Sequence, residues 1–377
     1  MNEKVLLSLC MIIKNEEEWI DKCLQRVEGV ADEIIVVDTG STDRTKEICR
    51  NHNVNLYDFV WTESFSEARN YGLEKASGEW ILWLDADEEL EIADVQEFRN
   101  ILKTSEKDLW MIQLINYYGT LPPDSNRAYL FASYRLFRNH KGIKFVGNIH
   151  EYLNLKSLSG HETAEVLPNS KIHHYGYMDK VVESKEKRKR NLYLLEKEKQ
   201  NSEYSPWIDY HIASEYYRAK QYTEAFRQVN ISILRFLERK EVPPSLLYKL
   251  KYDILLSVGS FEGAWPGIEN AIALYPDYVD LHFYKGIILY KKGMPEEALT
   301  TFRHCVGLGD GDVRFLTLKG CGGYLAWYYI GRCFEDIGDP FEAIKAYSKS
   351  VGLYPEYYEA RERLMYLCKD KAENNKE

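Results

Sequence analysis

Residues 78–90, GEWILWLDADEEL, begin as an apolar run and then collect four carboxylates in five positions, at Asp85, Asp87, Glu88 and Glu89. The apolar half has the composition of a strand that is buried on both faces. Negative charge at the tip of a buried strand costs free energy unless a cation neutralises it. An Asp-x-Asp spacing places two carboxylates within reach of one divalent ion, and Mg²⁺ and Mn²⁺ prefer such oxygen ligands. We therefore expect a metal ion at this strand end.

Around this stretch, short apolar runs alternate with amphipathic segments. Five runs predict strands: VLLSLCMII (5–13), EIIVVDTG (33–40), NLYDFVW (55–61), EWILWLDAD (79–87) and DLWMIQLINYY (108–118). The segments between them predict helices at 15–27, 42–52 and 64–76. Asn15 is the expected cap of the first helix, and Ser64 with Glu67 forms a capping box on the third. The alternation predicts an α/β, Rossmann-like fold whose sheet is mostly parallel, with ligands bound beyond the carboxyl ends of its strands.

A second strand end, VVDTGSTDRT (36–45), carries Asp38 before a Gly-Ser-Thr turn that opens a helix. Free amides at the start of a helix attract anions. The Asp38 carboxylate can accept hydrogen bonds from a uracil ring or a ribose, so the turn fits a nucleotide. A plain strand-turn-helix connection, with Ser41 or Thr42 as the helix cap, explains the same residues.

From about residue 205 the sequence becomes helical and repetitive. Four alanines fall in register, at positions 225, 264, 298 and 343. Their spacing indicates a 34-residue unit with insertions near 241–244 and 307–323. The last unit resembles the tetratricopeptide pattern through Trp327, Gly331, Phe334, Ala343, Tyr347 and Pro355. We expect an all-α solenoid of four helical hairpins, closed by a helix from about residue 356 to 371.

A highly charged segment, KVVESKEKRKRNLYLLEKEKQ (180–200), separates the two halves. Its charge density predicts a solvated helical connector with Leu192 and Leu195 as its apolar contacts. A functional basic patch is the alternative interpretation. The chain therefore divides into an α/β domain, a connector and a repeat domain with a terminal capping helix, at residues 1–179, 180–204 and 205–377.

Composition limits the class of protein. The formal net charge of −10 argues against nucleic acid as the main partner, because phosphate binding needs a basic surface. The first apolar stretch, residues 5–13, is too short to span a bilayer and runs directly into charged residues. Seven cysteines without CxxC spacing indicate free thiols in a reducing compartment. We expect a soluble, cytoplasmic protein with no integral membrane segment.

Several motifs together resemble one enzyme family. They are SLCMIIKNEE (8–17), EIIVVDTGSTDRT (33–45), FSEARNYGLEKASGEWILWLDADEEL (65–90), GNIHEYL (147–153) and IHHYGY (172–177). Their order looks like that of a family 2 glycosyltransferase with the GT-A fold, over roughly residues 5–178. The fusion to tetratricopeptide repeats is similar to bacterial peptide and protein glycosyltransferases, including the S-glycosyltransferases of glycosylated bacteriocins.

The resemblance implies a donor site for a nucleotide-sugar, with a UDP-sugar as the first candidate. Its residues would be Asp38, Ser41, Asp43, Arg69, Asn70 and Asp85. Within that set, Asp38 would hold the nucleoside base, and Asp43 or Arg69 would flank the nucleotide.

The resemblance also implies a Mg²⁺ or Mn²⁺ site. Asp87 would be a direct ligand, and Asp85 would contact the ribose or the metal. A downstream histidine commonly completes the metal site of GT-A enzymes, and IHHYGY offers His173 and His174. His174 is favoured because it stands in the His-Tyr-Gly-Tyr pattern.

An inverting transferase needs a base that takes a proton from the acceptor as the anomeric carbon becomes oxocarbenium-like. Many family 2 members supply an Asp, often from a Glu-Asp pair, in the second half of the fold. This sequence departs from that pattern and has GNIHEYL there. Glu151 is the leading candidate for the base and His150 is the alternative, while an exposed carboxylate near an edge strand would also explain Glu151.

The function implied is metal-dependent, inverting transfer of a sugar to Ser, Thr or Cys of a peptide or protein that the repeats partly hold. One alternative is transfer to a glycan, small-molecule or lipid-carrier acceptor in cell-envelope biosynthesis. Another is a scaffold that binds nucleotide-sugar without turnover. A homodimer formed through the last repeats is compatible with the sequence.

Overall fold

The computed structural model describes residues 5–155, 165–178, 185–201 and 203–374. The chain forms two units. The first contains Met1–Asp124 and Ala132–Ser202, and the second contains Ser125–Phe131 and Glu203–Glu377. A seven-residue stretch from the middle of the N-terminal half is therefore part of the repeat unit.

The apolar runs of the N-terminal half form one mixed sheet. Its strands are β1 (Leu7–Ile13), β2 (Glu33–Asp38), β3 (Asn55–Asp58), β4 (Trp80–Trp83), β5 (Glu88–Ile92), β6 (Leu109–Gly119), β7 (Ala128–Arg138) and β10 (Val166–Met178). They lie in the order β3-β2-β1-β4-β7-β6-β10-β5. The first four are parallel to one another, and β10 is parallel to β6. The β4–β7 and β5–β10 pairs are antiparallel. The predicted α/β fold with a mostly parallel sheet is confirmed.

The carboxylate run after β4 divides into a turn and the start of a new strand. β4 ends at Trp83, before the first carboxylate, so the prediction of one strand through Asp87 is wrong. The chain turns there, with the amide of Glu88 donating to the carbonyl of Asp85 at 3.1 Å. β5 then pairs with β10 and places Glu88 opposite His174. Asp85 and Asp87 therefore lie in a turn between two strands.

In the described part of the first unit, helices accompany this sheet. They are α1 (Ile20–Val27), α2 (Thr45–Arg50), α3 (Phe65–Leu73), α4 (Val95–Thr104) and α5 (Lys185–Lys199). Ser64 caps α3 as predicted, since its side chain accepts a hydrogen bond from the amide of Glu67. The predicted Asn15 cap of α1 is wrong, because Asn15 has φ +57° and its Oδ1 accepts from the amide of Thr42 at 2.8 Å.

Two smaller strands frame the loop that carries the candidate base. β8 (Phe145–Val146) and β9 (Tyr152–Leu153) pair antiparallel as a separate ribbon. The loop between them is GNIHE, residues 147–151. The amide of Phe65 donates to the carbonyl of Asn148 at 2.9 Å, which ties this loop to the start of α3.

The charged connector forms α5 and packs within the first unit. Its buried apolar side chains are Leu194 and Leu195, at 3% and 0% exposure. Leu195 was predicted, whereas Leu192 is only half-buried and Leu194 takes the buried position instead. The i, i+4 spacing of an α-helix puts Arg190 on the same face as Leu194. This face of α5 therefore lies against the protein.

The C-terminal half is almost entirely helical. Its helices are α6 (Trp207–Arg218), α7 (Tyr222–Glu238), α8 (Ser245–Ser257), α9 (Phe261–Ala264), α10 (Ile268–Leu274), α11 (Val279–Lys291), α12 (Pro295–Leu308), α13 (Tyr324–Ile337), α14 (Pro340–Leu353) and α15 (Tyr358–Asn374). They form four hairpins and a closing helix, as the repeat spacing predicts. Pro266 interrupts the second hairpin between α9 and α10, because proline cannot donate the helical hydrogen bond. In the part of the chain described, no helix is long and apolar enough to cross a membrane.

Glycine at one repeat position permits close packing of paired helices. A Cβ on Gly286 would lie 2.5 Å from the ring of Phe302, and a Cβ on Gly331 would lie 2.6 Å from the ring of Tyr347. Phe302 and Tyr347 are fully buried. The repeat pattern therefore reflects contact between an aromatic ring and the backbone of the facing helix.

The insertion at 307–323 binds the stretch Ser125–Phe131 within the second unit. Its short strand β11 (Thr317–Leu318) pairs antiparallel with residues 129–130 of β7. Lys319 Nζ donates to the carbonyl of Ser125 at 2.7 Å.

A buried ion pair lies next to the paired strands β11 and β7. Lys249 and Asp280 are 4% and 0% exposed and form a direct hydrogen bond. Asp280 also accepts from the amide of Leu318 at 3.0 Å, and the ammonium of Lys249 lies 5.4 Å from the ring of Tyr129. The ion pair thus connects α8 and α11 to β11 and to the start of β7.

Candidate active site

A cleft of about 760 Å³ opens beyond the carboxyl ends of β1 and β4, where the fold predicts a ligand. All of its lining residues belong to the first unit. They come from residues 12–16 after β1, Thr39, Phe65 and Arg69 of α3, Trp83, residues 85–87, residues 149–151, His174 of β10, and Lys187, Arg190 and Asn191 of α5.

Arg69 joins the carboxylate turn to the candidate base. Its Nη2 donates to Oδ1 of Asp85 at 2.7 Å and its Nε donates to Oε1 of Glu151 at 2.5 Å. The guanidinium is 7% exposed and lies near the rings of Trp83 and Phe145, at 4.6 and 5.4 Å. Its Nη1 has no hydrogen-bond partner among the described residues. The interpretation of Glu151 as an exposed carboxylate is wrong, because its side chain is 10% exposed.

A second arginine, Arg135, stabilises the carboxylate turn through Glu88. Arg135 Nη2 donates to Oε1 of Glu88 at 2.6 Å, and Oε2 of Glu88 accepts from the amide of Asp85 at 2.9 Å. Burial raises the pKa of Asp85, but Arg69 and then Arg135 outweigh burial and lower the pKa to about 2. Burial also raises the pKa of Glu88, and there Arg135 offsets it only in part. Asp85 is therefore held as a carboxylate at the cleft.

Asp87 and His174 face each other across the cleft floor. Oδ1 of Asp87 lies 3.7 Å from Nε2 of His174, and each side chain is 18% exposed. Nδ1 of His174 lies 2.7 Å from Oδ1 of Asn116. An amide oxygen only accepts, so Nδ1 carries the proton and Nε2 is directed to Asp87. Burial lowers the pKa of His174. The nearby carboxylates, of which Asp87 contributes most, outweigh burial and raise it.

His173 lies on the other face of β10. Its Nδ1 is 2.8 Å from the hydroxyl of Tyr117, and its Nε2 is 2.8 Å from Oε2 of Glu91. Successive residues of a strand point to opposite faces of the sheet. Of the two predicted histidines, the structure places His174 beside Asp87 and directs His173 away from it.

Glu16 adds a further carboxyl to the lining of the cleft. Its backbone amide donates to Oγ1 of Thr45 at 2.7 Å. Burial and the neighbouring Asp87 raise the pKa of Glu16 to about 7, against the opposing charge of Lys187. The raised pKa of Glu16 thus reflects burial first and the neighbouring negative charge second.

The donor set fits a divalent cation, although the described residues contain no group of three His, Cys, Asp or Glu side chains already arranged as a metal site. A Cβ on Gly176 would lie 2.5 Å from Nε2 of His174 and 2.6 Å from Oδ2 of Asp87. Glycine at this position therefore keeps the space beside the pair open. One carboxylate, one imidazole and open positions suit an ion that also takes phosphate oxygens.

The predicted base-binding residue Asp38 lies at the end of β2 and is 2% exposed. Its Oδ2 accepts from the amides of Gly40 and Ser41, both at 3.1 Å. Asp38 therefore shapes the turn, and its neighbour Thr39 is the residue that lines the cleft.

Ser41 and Asp43 also hold the turn together. Oγ of Ser41 accepts from the amide of Asn15 at 3.0 Å. Oδ1 of Asp43 accepts from the amide and hydroxyl of Thr45, at 3.0 and 2.5 Å, so Asp43 rather than Ser41 or Thr42 binds the first turn of α2. Burial raises the pKa of Asp43, but these hydrogen bonds outweigh burial and lower it.

Asn70 and His150 have different positions. Asn70 makes two hydrogen bonds of 2.9 Å, one to the amide and one to the carbonyl of Phe145, and so anchors β8. It is not among the lining residues of the cleft, whereas His150 is. His150 has φ +51°, a left-handed conformation that is uncommon outside glycine and concentrates at functional sites.

Comparison with known proteins assigns the family. Residues 8–161 match the model of glycosyl transferase family 2, and residues 325–357 match a tetratricopeptide repeat model. The chain therefore contains an N-terminal domain of glycosyl transferase family 2 and a C-terminal tetratricopeptide repeat region. As for the whole family, a nucleotide-sugar is the expected donor.

Several known proteins match parts of this chain. A TPR repeat-containing protein of Synechococcus elongatus is 37% identical over 176 residues, covering 45% of this chain and 42% of that protein. The SPbeta prophage-derived glycosyltransferase SunS of Bacillus subtilis is 27% identical over 312 residues, covering 78% of this chain and 71% of SunS. The crystal structure of S. aureus TarS 1–349 aligns with 66% of this chain and 86% of that chain, at 16% identity and a TM-score of 0.38. The chain thus spans less than half of the first of these relatives.

The sequence analysis did not identify Glu16, Asn116 or the residues of α5 as parts of the candidate site. Glu16 follows the end of β1, which is a third strand end at the same edge of the sheet, so its position carried a usable signal. Asn116 becomes a partner of His174 only through the register of β6 and β10. The residues of α5 come to the cleft only because Leu194 and Leu195 are buried.

Proposed function

We propose that this glycosyltransferase moves a sugar, with inversion, from a nucleotide-sugar to a Ser, Thr or Cys side chain of a peptide or protein. A UDP-sugar is the first candidate for the donor. One observation carries the proposal: a single cleft contains the Asp87–His174 pair and Glu151, connected through Arg69 and Asp85. A site for the leaving group and a candidate base are thereby brought together.

The donor would bind with its diphosphate at the carboxylate turn. A Mg²⁺ or Mn²⁺ ion held by Asp87 and His174 would neutralise the charge that develops on the leaving nucleoside diphosphate. Asn116 fixes the His174 ring in the orientation that this needs, and Arg69 holds Asp85 at the edge of the site.

The nucleoside would lie toward the turn after β2. Asp38, Ser41 and Asp43 give that turn its shape and present Thr39 to the cleft. Asn70 contributes by holding β8, and with it the loop of the candidate base, in place.

Glu151 is the proposed base. The bond from Arg69 engages only Oε1, and Oε2 makes no hydrogen bond to the described residues. Oε2 is the atom that would take the proton of the acceptor hydroxyl or thiol as the acceptor attacks the anomeric carbon. His150, its neighbour on the same loop and in the same cleft, is the alternative.

Two features support a peptide or protein acceptor. The motif set with appended repeats resembles bacterial peptide and protein glycosyltransferases, and the match to SunS covers 78% of this chain, so it extends beyond the transferase motifs. Helical repeats present concave surfaces that bind extended peptides.

Calorimetry with a panel of nucleotide-sugars, with and without Mn²⁺, tests the donor site. We expect one donor to bind in a metal-dependent manner and Asp87→Asn to abolish that dependence. Glu151→Gln should leave donor binding intact and slow transfer by roughly 10²- to 10⁴-fold. Full activity in EDTA would refute the metal, and near-normal transfer by Glu151→Gln would move the base to His150.

Acceptor screening tests the second half of the proposal. The bound donor, radiolabelled in its sugar, is incubated with the enzyme and with Ser-, Thr- and Cys-containing peptides, purified glycans and lipid carriers. Label on a peptide side chain supports the proposal. Label on a glycan or a lipid carrier alone would refute the peptide acceptor and leave the donor site standing.

A further inference from the structure

The connector helix supplies one wall of the cleft. Lys187, Arg190 and Asn191 of α5 line it together with the carboxylate turn. α5 lies outside residues 8–161, which match the family model. The shared motifs of the family therefore do not account for these three side chains.

Apolar contacts fix the position of this wall. Leu194 and Leu195 of α5 are buried, and the guanidinium of Arg190 lies 5.2 Å from the ring of Phe65, at the start of α3. A cation beside an aromatic face is attracted by the ring. Arg190 thus contacts Phe65, another residue that lines the cleft.

Polar contacts reinforce this position about two turns beyond Arg190 along α5. Nδ2 of Asn148 donates to Oε2 of Glu198 at 2.8 Å. Lys197 forms an ion pair of 2.6 Å with Glu63. Asn148 belongs to the loop of the candidate base, so α5 and that loop are positioned together.

Without α5, the described lining of the cleft contains more carboxylates than positively charged side chains. Its lining residues include four carboxylates, at Glu16, Asp85, Asp87 and Glu151. Arg69 is already bonded to two of these carboxylates. Among the described residues that line the cleft, the other arginine and lysine side chains are Lys14, Lys187 and Arg190, and two of these three belong to α5.

We infer that Lys187 and Arg190 bind the diphosphate of the donor and stay bound to it as it leaves. This inference rests on the proposed function. The two residues are three positions apart on a helix and therefore share a face. A guanidinium can bind two phosphate oxygens at once, and an ammonium binds as a compact charge.

The reaction creates the charge that these residues would meet. When the bond from the anomeric carbon to the β-phosphate oxygen breaks, its electron pair stays on that oxygen. The diphosphate gains one negative charge, while the acceptor proton passes to Glu151. A divalent cation neutralises only part of the diphosphate charge, and α5 supplies two more positive charges at the same cleft.

Matched variants test this inference by the affinities for nucleotides. Lys187→Ala, Arg190→Ala and the double variant are compared with Arg188→Ala, which removes the same charge from an exposed position of α5 outside the cleft. UDP and UMP are titrated with Mn²⁺, with GDP and GMP, dTDP and dTMP, and CDP and CMP as further probe pairs. Lys187 and Arg190 are also exposed, so thermal melting should show all variants folded.

We expect the double variant to lose about 10- to 100-fold in affinity for the nucleoside diphosphate and less than about threefold for the monophosphate. Arg188→Ala should resemble the wild type, and Arg190→Lys should recover part of the loss because it restores the charge without the fork. Equal losses for the two nucleotides would overturn the inference, because they would indicate general attraction rather than contact with the diphosphate.

Two failures remain distinguishable. If the wild type binds a nucleoside diphosphate with Mn²⁺ and the double variant binds it equally well, the inference is wrong and the proposed function stands. If the wild type binds none of the nucleotides, the proposed function fails and the inference fails with it. A double variant that loses only affinity for the acceptor would assign α5 to acceptor recognition and overturn the inference.

Discussion

Alanine at Gly176 is the sharpest perturbation of the candidate metal site. The added Cβ would lie 2.5 Å from Nε2 of His174 and 2.6 Å from Oδ2 of Asp87, where ordinary contacts begin at 3.4 Å. The two side chains would have to retreat by about 0.8–0.9 Å. Metal–ligand distances tolerate only about 0.2 Å, so the pair could no longer hold one ion in its present arrangement.

We expect Gly176→Ala to weaken Mn²⁺-dependent donor binding by about 10- to 100-fold, or about 1.4–2.8 kcal/mol. The fold should persist, because Asp87 and His174 can move into the cleft and the backbone of Gly176 is outside the left-handed region. Calorimetric titration of donor at several Mn²⁺ concentrations measures the effect, with thermal melting as the folding control. A Gly176→Ala protein with wild-type Mn²⁺ dependence would refute the assignment of this pair.

Two further predictions concern stability. The ring of His52 bonds Glu28 and Asp21 at 2.9 and 2.8 Å, and although burial opposes it, these carboxylates raise the pKa of His52 above 6.5. The stabilisation that results is complete below about pH 6.5 and is lost as the pH rises through the raised pKa of His52. The melting temperature of the wild type should therefore exceed that of His52→Gln by less at pH 8.5 than at pH 5.5. A difference that does not change with pH would contradict this. Gly331→Ala should destabilise the repeats by about 1–3 kcal/mol in urea unfolding, because its Cβ meets the Tyr347 ring. Gly352→Ala in α14, with open space around the Cβ, is the control and should be neutral or stabilising by up to about 1 kcal/mol.

Local sequence patterns were sufficient for the parallel part of the sheet and for the helical repeats. The alternation of apolar runs with capped segments gave the parallel strands β1 to β4, and the alanine register gave the helical hairpins. Strand ends were less accurate, because β5 exists only through its pairing with β10. A run of carboxylates carries no local signal for a strand, so EELEI could not be recognised without that partner.

The candidate site was predictable where it depends on one segment. The Asp-Ala-Asp turn and the GNIHEYL loop were found in sequence, and both line the cleft. Asn15 misled the helix assignment because its polar side chain bonds the turn after β2 instead of a helix end. The partnership of His174 with Asn116, and the placement of Lys187, depend on packing between segments far apart in sequence. Such packing leaves no trace in residue spacing.

The stretch Ser125–Phe131 links the order of synthesis to the completion of the fold. Lys319 and Tyr324 bond the carbonyls of Ser125 and Asn126, across sequence separations of 194 and 198 residues. A ribosome adds those residues in roughly 10–40 s. For that interval the start of β7 has been made, but β11, Lys319 and Tyr324, which bond this stretch in the folded protein, have not. A nascent chain would thus leave the β11 side of this segment uncovered through most of the translation of the repeats, and a chaperone that acts on this chain would be expected to bind there.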